Sequence, residues 1–176
     1  MHSVDDAPMS STKRTTSAPR RDVGTAGAAI RQSKPFRSDA HEALLTLLMT
    51  AEKIHRPFHE LFAGHDLTPQ QFNVLRILRG AGKPGLPTLE IATRMVQHTP
   101  GITRLIDRLE KKGLVERSRA PEDRRQVWCR ITRDGRALIR RLDAPVEKLD
   151  RHALDPLSGE DVRRLIRLLD RVRCAT

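Results

Sequence analysis

From Asp39 onward, apolar and polar positions alternate with helical period. Leu44, Leu47, Leu48, Ala51, Ile54, Phe58, Leu61 and Phe62 recur at three- and four-residue steps. That spacing predicts one apolar stripe of a long helix. Pro57 falls inside the stripe and is expected to kink the helix or end it early. Thr68-Pro69-Gln70-Gln71 reads as a fresh helix start. Thr68 can cap, Pro69 suits the first helical position, and Gln71 can complete a capping box. Phe72, Leu75, Ile77 and Leu78 form that helix's apolar side, and Gly80, Gly82, Pro84 and Gly85 mark a loop. A third helix is expected from Thr88 to Val96, with Leu89, Ile91, Ala92 and Met95 turned inward. His98-Thr99-Pro100-Gly101 is a turn that opens a fourth helix, which continues to Lys112 and stops at Gly113.

After Gly113 the period falls to two. Leu114 to Arg119 and Gln126 to Thr132 are expected as strands, joined by the polar link Ala120-Pro121-Glu122-Asp123-Arg124-Arg125 into a β-hairpin. A helix from Arg133 to Ala153 follows, carrying Leu138, Leu142, Val146 and Leu149 and interrupted by Pro145. The last helix opens at the capping-box pattern Ser158-Gly159-Glu160-Asp161 and is expected to bury Val162, Leu165, Ile166, Leu169 and Val172. No internal repeat is apparent. Residues 1 to 38 show no such periodicity. They hold seven Lys or Arg against three Asp, a net of +4. So little apolar surface cannot offset the entropy of ordering, which predicts a disordered basic arm. It reads either as a solubilising tail or as a contact to DNA phosphates.

This order predicts a mainly α chain with a small β-hairpin wing, in 176 residues. Charge narrows the partners. The 33 Lys and Arg against 22 Asp and Glu leave +11, a field that draws a polyanion: nucleic acid or an anionic membrane surface. The membrane reading needs an amphipathic helix with bulky apolar anchors, whereas these stripes suit a core and a dimer. Four Phe, one Trp and no Tyr argue against a platform that stacks single-stranded bases. Two Cys exclude a disulfide scaffold and a four-Cys zinc site. The longest apolar run falls well short of a membrane span. The start, with Asp5 and Asp6, has no signal-peptide core, so a reducing, cytoplasmic setting is expected. No nucleophile with a base, carboxylate pair, glycine-rich phosphate loop or paired metal ligands stand out, so no enzyme and no cofactor are expected.

The fourth helix carries the candidate chemistry. Over residues 99 to 112, Ile102, Leu105, Ile106 and Leu109 share one face. Pro100, Thr103, Arg104, Asp107, Arg108 and Lys111 share the other. A short polar side chain followed by two Arg one turn apart suits a major groove. Thr contacts either base type or a thymine methyl, and Arg binds guanine O6 and N7 in bidentate fashion. Gly101, in the first turn, would let the backbone approach DNA. A merely solvated basic face has the same pattern. The order decides between them: short helix, turn, basic helix and hairpin is the winged helix-turn-helix order. Around the hairpin, Arg117, Arg119, Arg124, Arg125 and Arg130 make the wing basic, and an Arg at its tip suits a narrow minor groove. Asp123 is expected to pair with Arg125 and hold it.

Four segments together resemble the MarR family of bacterial transcriptional regulators. They are Leu67-Thr68-Pro69-Gln70-Gln71-Phe72, Ile102-Thr103-Arg104-Leu105-Ile106-Asp107-Arg108-Leu109-Glu110-Lys111-Lys112-Gly113-Leu114-Val115, Pro121-Glu122-Asp123-Arg124-Arg125 and Ile131-Thr132-Arg133-Asp134-Gly135. The resemblance implies a homodimer. Its dimerisation layer would combine a first helix within 39 to 66 with the last two helices within 137 to 176, and each subunit would present a DNA-binding lobe at 67 to 136. It implies a recognition helix at residues 99 to 112, with Thr99 and Gly101 at its start, and a wing Asp-x-Arg at Asp123 and Arg125. Pro100 and Gly101 stand where many members have small hydroxyl residues. A repressor gripping a pseudo-palindromic operator in double-stranded DNA follows, with Thr103 and Arg104 reading bases and Arg108, Lys111 and Arg119 on phosphate. Members often respond to small aromatic or phenolic ligands. Here that site would lie near the first, second and fifth predicted helices.

Other readings compete. His55 and His59, four apart on a helix with His41 and His65 near in sequence, suggest a zinc-responsive regulator, although a structural zinc needs four ligands. The charge alone would also suit a non-specific, architectural DNA binder. Cys129 is expected as a small core residue. Cys174 lies in the C-terminal tail, and an intersubunit disulfide stays open. Redox-sensing members carry a Cys near the first helix, where this chain has none. Trp128, opposite Val127 and Cys129, is expected to cover the lobe surface.

Overall fold

The computed structural model describes residues 25–32, 34, 36–96, 101–119 and 127–175. The chain divides into two units, residues 1–49 and residues 50–176. In the first, α1 (Thr25–Ala29) forms a short helix inside the stretch expected to be unstructured. Its three Ala explain this, since Ala has the highest helix propensity. α2 (Asp39–Ala63) starts on Ser38, whose Oγ accepts from the His41 amide at 3.2 Å. Asp39 and Glu42 in its first turn complement the helix dipole. Leu44, Leu47 and Leu48 on this part of the helix are exposed. α2 continues into the second unit and runs through Pro57 instead of stopping there.

The second unit holds α3 (Pro69–Ala81), β1 (Leu86–Pro87), α4 (Thr88–Thr93), α5 (Ile102–Lys111), β2 (Val115–Arg119), β3 (Val127–Ile131), α6 (Arg133–Leu154) and α7 (Gly159–Ala175). The predicted capping box of α3 is formed. The Gln71 amide donates to Thr68 Oγ1 at 3.2 Å, and the Thr68 amide donates to Gln71 Oε1 at 3.0 Å. Leu75 and Leu78 of α3, Ile91 of α4, Ile106 and Leu109 of α5, Cys129 and Ile131 of β3, and Ile139 and Leu142 of α6 are fully buried together. Phe62 stacks on Phe72 at 4.3 Å between ring centroids, which joins the end of α2 to α3.

The expected hairpin is a three-stranded sheet with order β1-β3-β2. Leu86 pairs with Cys129, and Val115, Arg117 and Arg119 pair with Ile131, Cys129 and Val127. β1 has only two residues, too few to leave a period in the sequence, and its Pro87 is tolerated because β1 is an edge strand. α4 ends at Thr93, short of Val96, and Leu89 is 78% exposed. A helix this short buries one edge, and Ile91 occupies it. α6 continues through Pro145, where burial of Leu142 and Val146 on either side offsets the hydrogen bond the proline removes. α7 buries none of its residues, and Ile166, Leu169 and Val172, expected inside, are exposed.

Gly135 explains the Asp134-Gly135 step at the start of α6. A Cβ there would lie 2.3 Å from the Leu114 carbonyl oxygen and 2.7 Å from Ile131 Cγ1. The backbone of α6 thus rests directly against the turn after α5. Thr132 fixes the contact, accepting from the Gly135 amide at 3.0 Å and donating to the Gly113 carbonyl at 2.8 Å. Gly135→Ala is therefore expected to destabilise the fold by about 1–3 kcal/mol, read as a lower urea midpoint. An unchanged midpoint would contradict the close approach.

Candidate nucleic-acid interface

α5 divides as its sequence predicts. Ile106 and Leu109 are fully buried, Ile102 and Leu105 are half-buried, and Thr103, Arg104, Arg108 and Lys111 are exposed. Among the described residues, those three cations make no ion pair that would neutralise them. Gly101 is the N-cap, with φ 83° and ψ 36°, and its carbonyl accepts from the Arg104 amide at 2.9 Å. The helix therefore opens at Ile102, and Gly101 stands just before its first turn instead of within it. The left-handed backbone is the reason, since a residue with Cβ rarely adopts it. Beside α5, Thr68 and Gln71 of the α3 start, together with Arg108, Lys111 and Lys112, line a cleft of about 540 Å³. Lys112 is held by the carbonyl of Asp66 and, at 3.0 Å, by its carboxylate. Among the described residues Arg108 and Lys111 have no such anionic partner.

Asp107, expected among the outward cations, is instead half-buried and bound to Arg117 of β2 at 2.5 Å. Arg117 Nη2 also donates to the Thr103 carbonyl at 3.1 Å, and Nη1 lies 3.5 Å from Glu110 Oε2. Burial lowers the Arg117 pKa. The Asp107 hydrogen bond and charge, and then Glu110, outweigh that and hold it above the ordinary arginine value. From the sequence, Arg117 is legible only as general wing charge. The alternation placed it on the inward side of β2, two residues after buried Val115, and a cation there signals a buried partner.

Arg119 ends β2. Thr99, Asp123, Arg124 and Arg125 lie outside the described residues. Cys129 is buried and Cys174 exposed, both as free thiols. His55 and His59 line a common cavity, but among the described residues no three His, Cys, Asp or Glu gather as a metal site. No described helix is long and apolar enough to cross a membrane.

That cavity, about 340 Å³, lies between the second half of α2, α3 and α6. Ile54, Phe58, Phe62, Phe72, Met95 and Val146 form its apolar wall, and His55, His59, Asn73, Arg76 and Asp150 its polar one. The Arg76 guanidinium stands 6.0 Å from the Phe72 ring centroid. These are the first, second and fifth helices that the periodicity predicts.

A short α4, an exposed cationic α5 and a small sheet packed behind it define a winged helix-turn-helix lobe. The family model described as "MarR family" matches residues 67–127. The homoprotocatechuate degradative operon repressor of Escherichia coli is 30% identical over 131 residues, covering 74% of this chain and 87% of that protein. A MarR transcription factor from Planctomyces limnophilus is 40% identical with TM-score 0.61, covering 77% of this chain and 98% of that one. A mutant MarR from E. coli, complexed with operator DNA, is 30% identical with TM-score 0.66, covering 72% and 90%. The chain belongs to the MarR family of transcriptional regulators.

Among the described residues nothing lies within 4 Å of a Cβ placed on Gly101, so a side chain there meets backbone strain. Gly101→Ala is expected to cost about 1–2 kcal/mol, and Gly101→Asn less, since Asn tolerates the left-handed region. Equal losses in thermal unfolding would contradict the φ assignment.

Proposed function

We propose that this regulator binds a pseudo-palindromic operator as a homodimer and represses until a small ligand displaces it. The observation that carries this is α5 itself, with Ile106 and Leu109 buried beneath exposed Thr103, Arg104, Arg108 and Lys111. Two such helices enter successive major grooves about 10 base pairs apart. Thr103 and Arg104 read base edges, while Gly101 brings the helix start close to the DNA. Arg108, Lys111 and Arg119 hold phosphates, and the positive start of α5 adds to them. Thr99, two residues before Gly101 in the sequence, is the further hydroxyl assigned to this interface. On the wing, Arg124 and Arg125 reach the minor groove, with Asp123 orienting Arg125. An architectural binder would not require a cation set this ordered on one helix face.

Exposed Ile166, Leu168 and Leu169 on α7, a 17-residue helix with no buried residue, support the dimer. Exposed Leu44, Leu47 and Leu48 on α2 support it separately. Apolar area of this kind is buried in an obligate interface. The α2–α3–α6 cavity suits a small aromatic or phenolic anion: three Phe supply the wall, and Arg76 with His55 and His59 supplies donors. A ligand that prefers a lobe spacing mismatched to the grooves releases DNA by linkage. Repression is the reading that the E. coli homoprotocatechuate repressor lends to this chain. Its place of action is then the cytoplasm, on the nucleoid.

Selection from random duplexes at near-physiological salt tests the reading. An enriched inverted repeat with half-sites about one helical turn apart is expected; tight binding without enrichment would overturn it. On the selected site, Arg104→Ala is expected to cost about 1–3 kcal/mol and to relax one base position. Uniform weakening on all sequences would remove Arg104 from base readout. Leu169→Glu is expected to shift the sedimenting species from dimer to monomer, and an unchanged dimer would exclude this face of α7.

A further inference from the structure

We propose that the groove between the start of α6, β3 and the loop before β1 is a second anion site of this protein, one that takes a small polyphosphate. The groove holds about 340 Å³. Lys83 of the loop, Arg130 of β3, and Arg133, Arg136 and Arg140 of α6 line it, against one carboxylate, Glu116 of β2. Glu116 is taken by Arg130 at 2.7 Å. Lys83, Arg133, Arg136 and Arg140 have no ion pair among the described residues. The three arginines of α6 stand three and four residues apart, so they share one face of the helix and repel one another, at a cost in helix stability. Arg136 is also half-buried, where an unpaired charge costs more. Elsewhere on the lobe such cations are paired: Arg79 with Asp143, Arg94 with Glu90 and Lys112 with Asp66. In the groove the described residues provide one carboxylate for five cations, which fits an anion drawn from solution.

Size and lining choose the anion. The volume suits a small molecule. Apart from Ile131 the lining is polar, so an aromatic acid finds no wall to rest on, in contrast to the α2–α3–α6 cavity. Four charges from a helix and a loop call for several linked anionic groups, and guanidinium forks match phosphate oxygens in pairs. The groove also opens away from α5. Arg117 and Cys129 pair on the side of the sheet that faces α5, and Glu116 and Arg130, next along each strand, stand on the other side. A straight duplex seated on α5 is not placed to fill it. The proposal therefore stands whether or not α5 reads an operator.

The test uses the full chain in a metal-free buffer of fixed ionic strength, with inorganic tripolyphosphate as the probe. Calorimetric titration is expected to give a single saturable site per subunit, and the melting temperature is expected to rise with ligand, as binding to the native state requires. R136Q/R140Q is expected to weaken that binding at least about tenfold, through loss of charge-assisted contacts. R104Q/R108Q removes the same charge from α5 and is expected to change it less than about twofold, because distant surface charges are screened. R140E, at an exposed position, is expected to weaken binding likewise and serves if R136Q/R140Q melts early. Adenosine triphosphate, titrated in parallel, separates a bare phosphate chain from one carried on a nucleoside: equal affinity assigns the former and tighter binding the latter, and both support the site. Equal weakening by the α5 and α6 variants overturns the proposal, since the field of the whole chain then does the binding. A wild-type protein without a saturable site overturns it too. So does an R136Q/R140Q variant that loses affinity for long duplexes while keeping tripolyphosphate, because the groove then serves the DNA backbone.

Discussion

A ten-residue helix that must be core on one edge and an exposed cationic surface on the other constrains the whole second unit. α5 is too short to stand alone, because isolated helices of this length are marginal in water. Ile106 and Leu109 hold it, each contributing about 1.5–3 kcal/mol through burial. Their partners come from every other part of the lobe: Leu75 and Leu78 from α3, Ile91 from α4, Val115 from β2, and Cys129 and Ile131 from β3. The start of α6 then closes against the turn after α5 through Gly135. The cationic face points outward because the apolar face has nowhere else to go.

Charge is the complementary constraint. A net +11 draws the chain to any polyanion, and most of that attraction carries no sequence information. Discrimination requires a few side chains held in register, which ion pairing on the lobe supports. Lys112 is spent on Asp66, and Arg130 on Glu116 at 2.7 Å across the strands. Arg117 is spent on α5. What remains unpaired among the described residues of α5 is the set facing outward, Arg104, Arg108 and Lys111.

Local features were the legible ones. The Thr68–Gln71 capping box, the inward Ile106 and Leu109 and the burial of Cys129 all follow from spacing, since each depends on near neighbours. Readings failed where distant packing decides. Pro145 sits in an unbroken α6 because the core on either side outweighs one lost hydrogen bond. Leu89 and the α7 stripe look like core, yet in the single chain they face solvent. β1 is legible only through its partner β3. Asp107 shared a helix face with cations, and only the position of Arg117, across a strand turn, shows that it faces the wing. Thr99, Asp123, Arg124 and Arg125 fall outside the described residues, and their roles rest on the proposed function.

Operator binding as proposed requires two lobes of one dimer to grip one duplex. A hydroxyl-radical footprint on the selected operator tests that most directly. Two symmetric sets of protected sugars, centred about one helical turn apart and extending into the flanking minor grooves, are predicted. A single protected half-site, or uniform protection without boundaries, would contradict it.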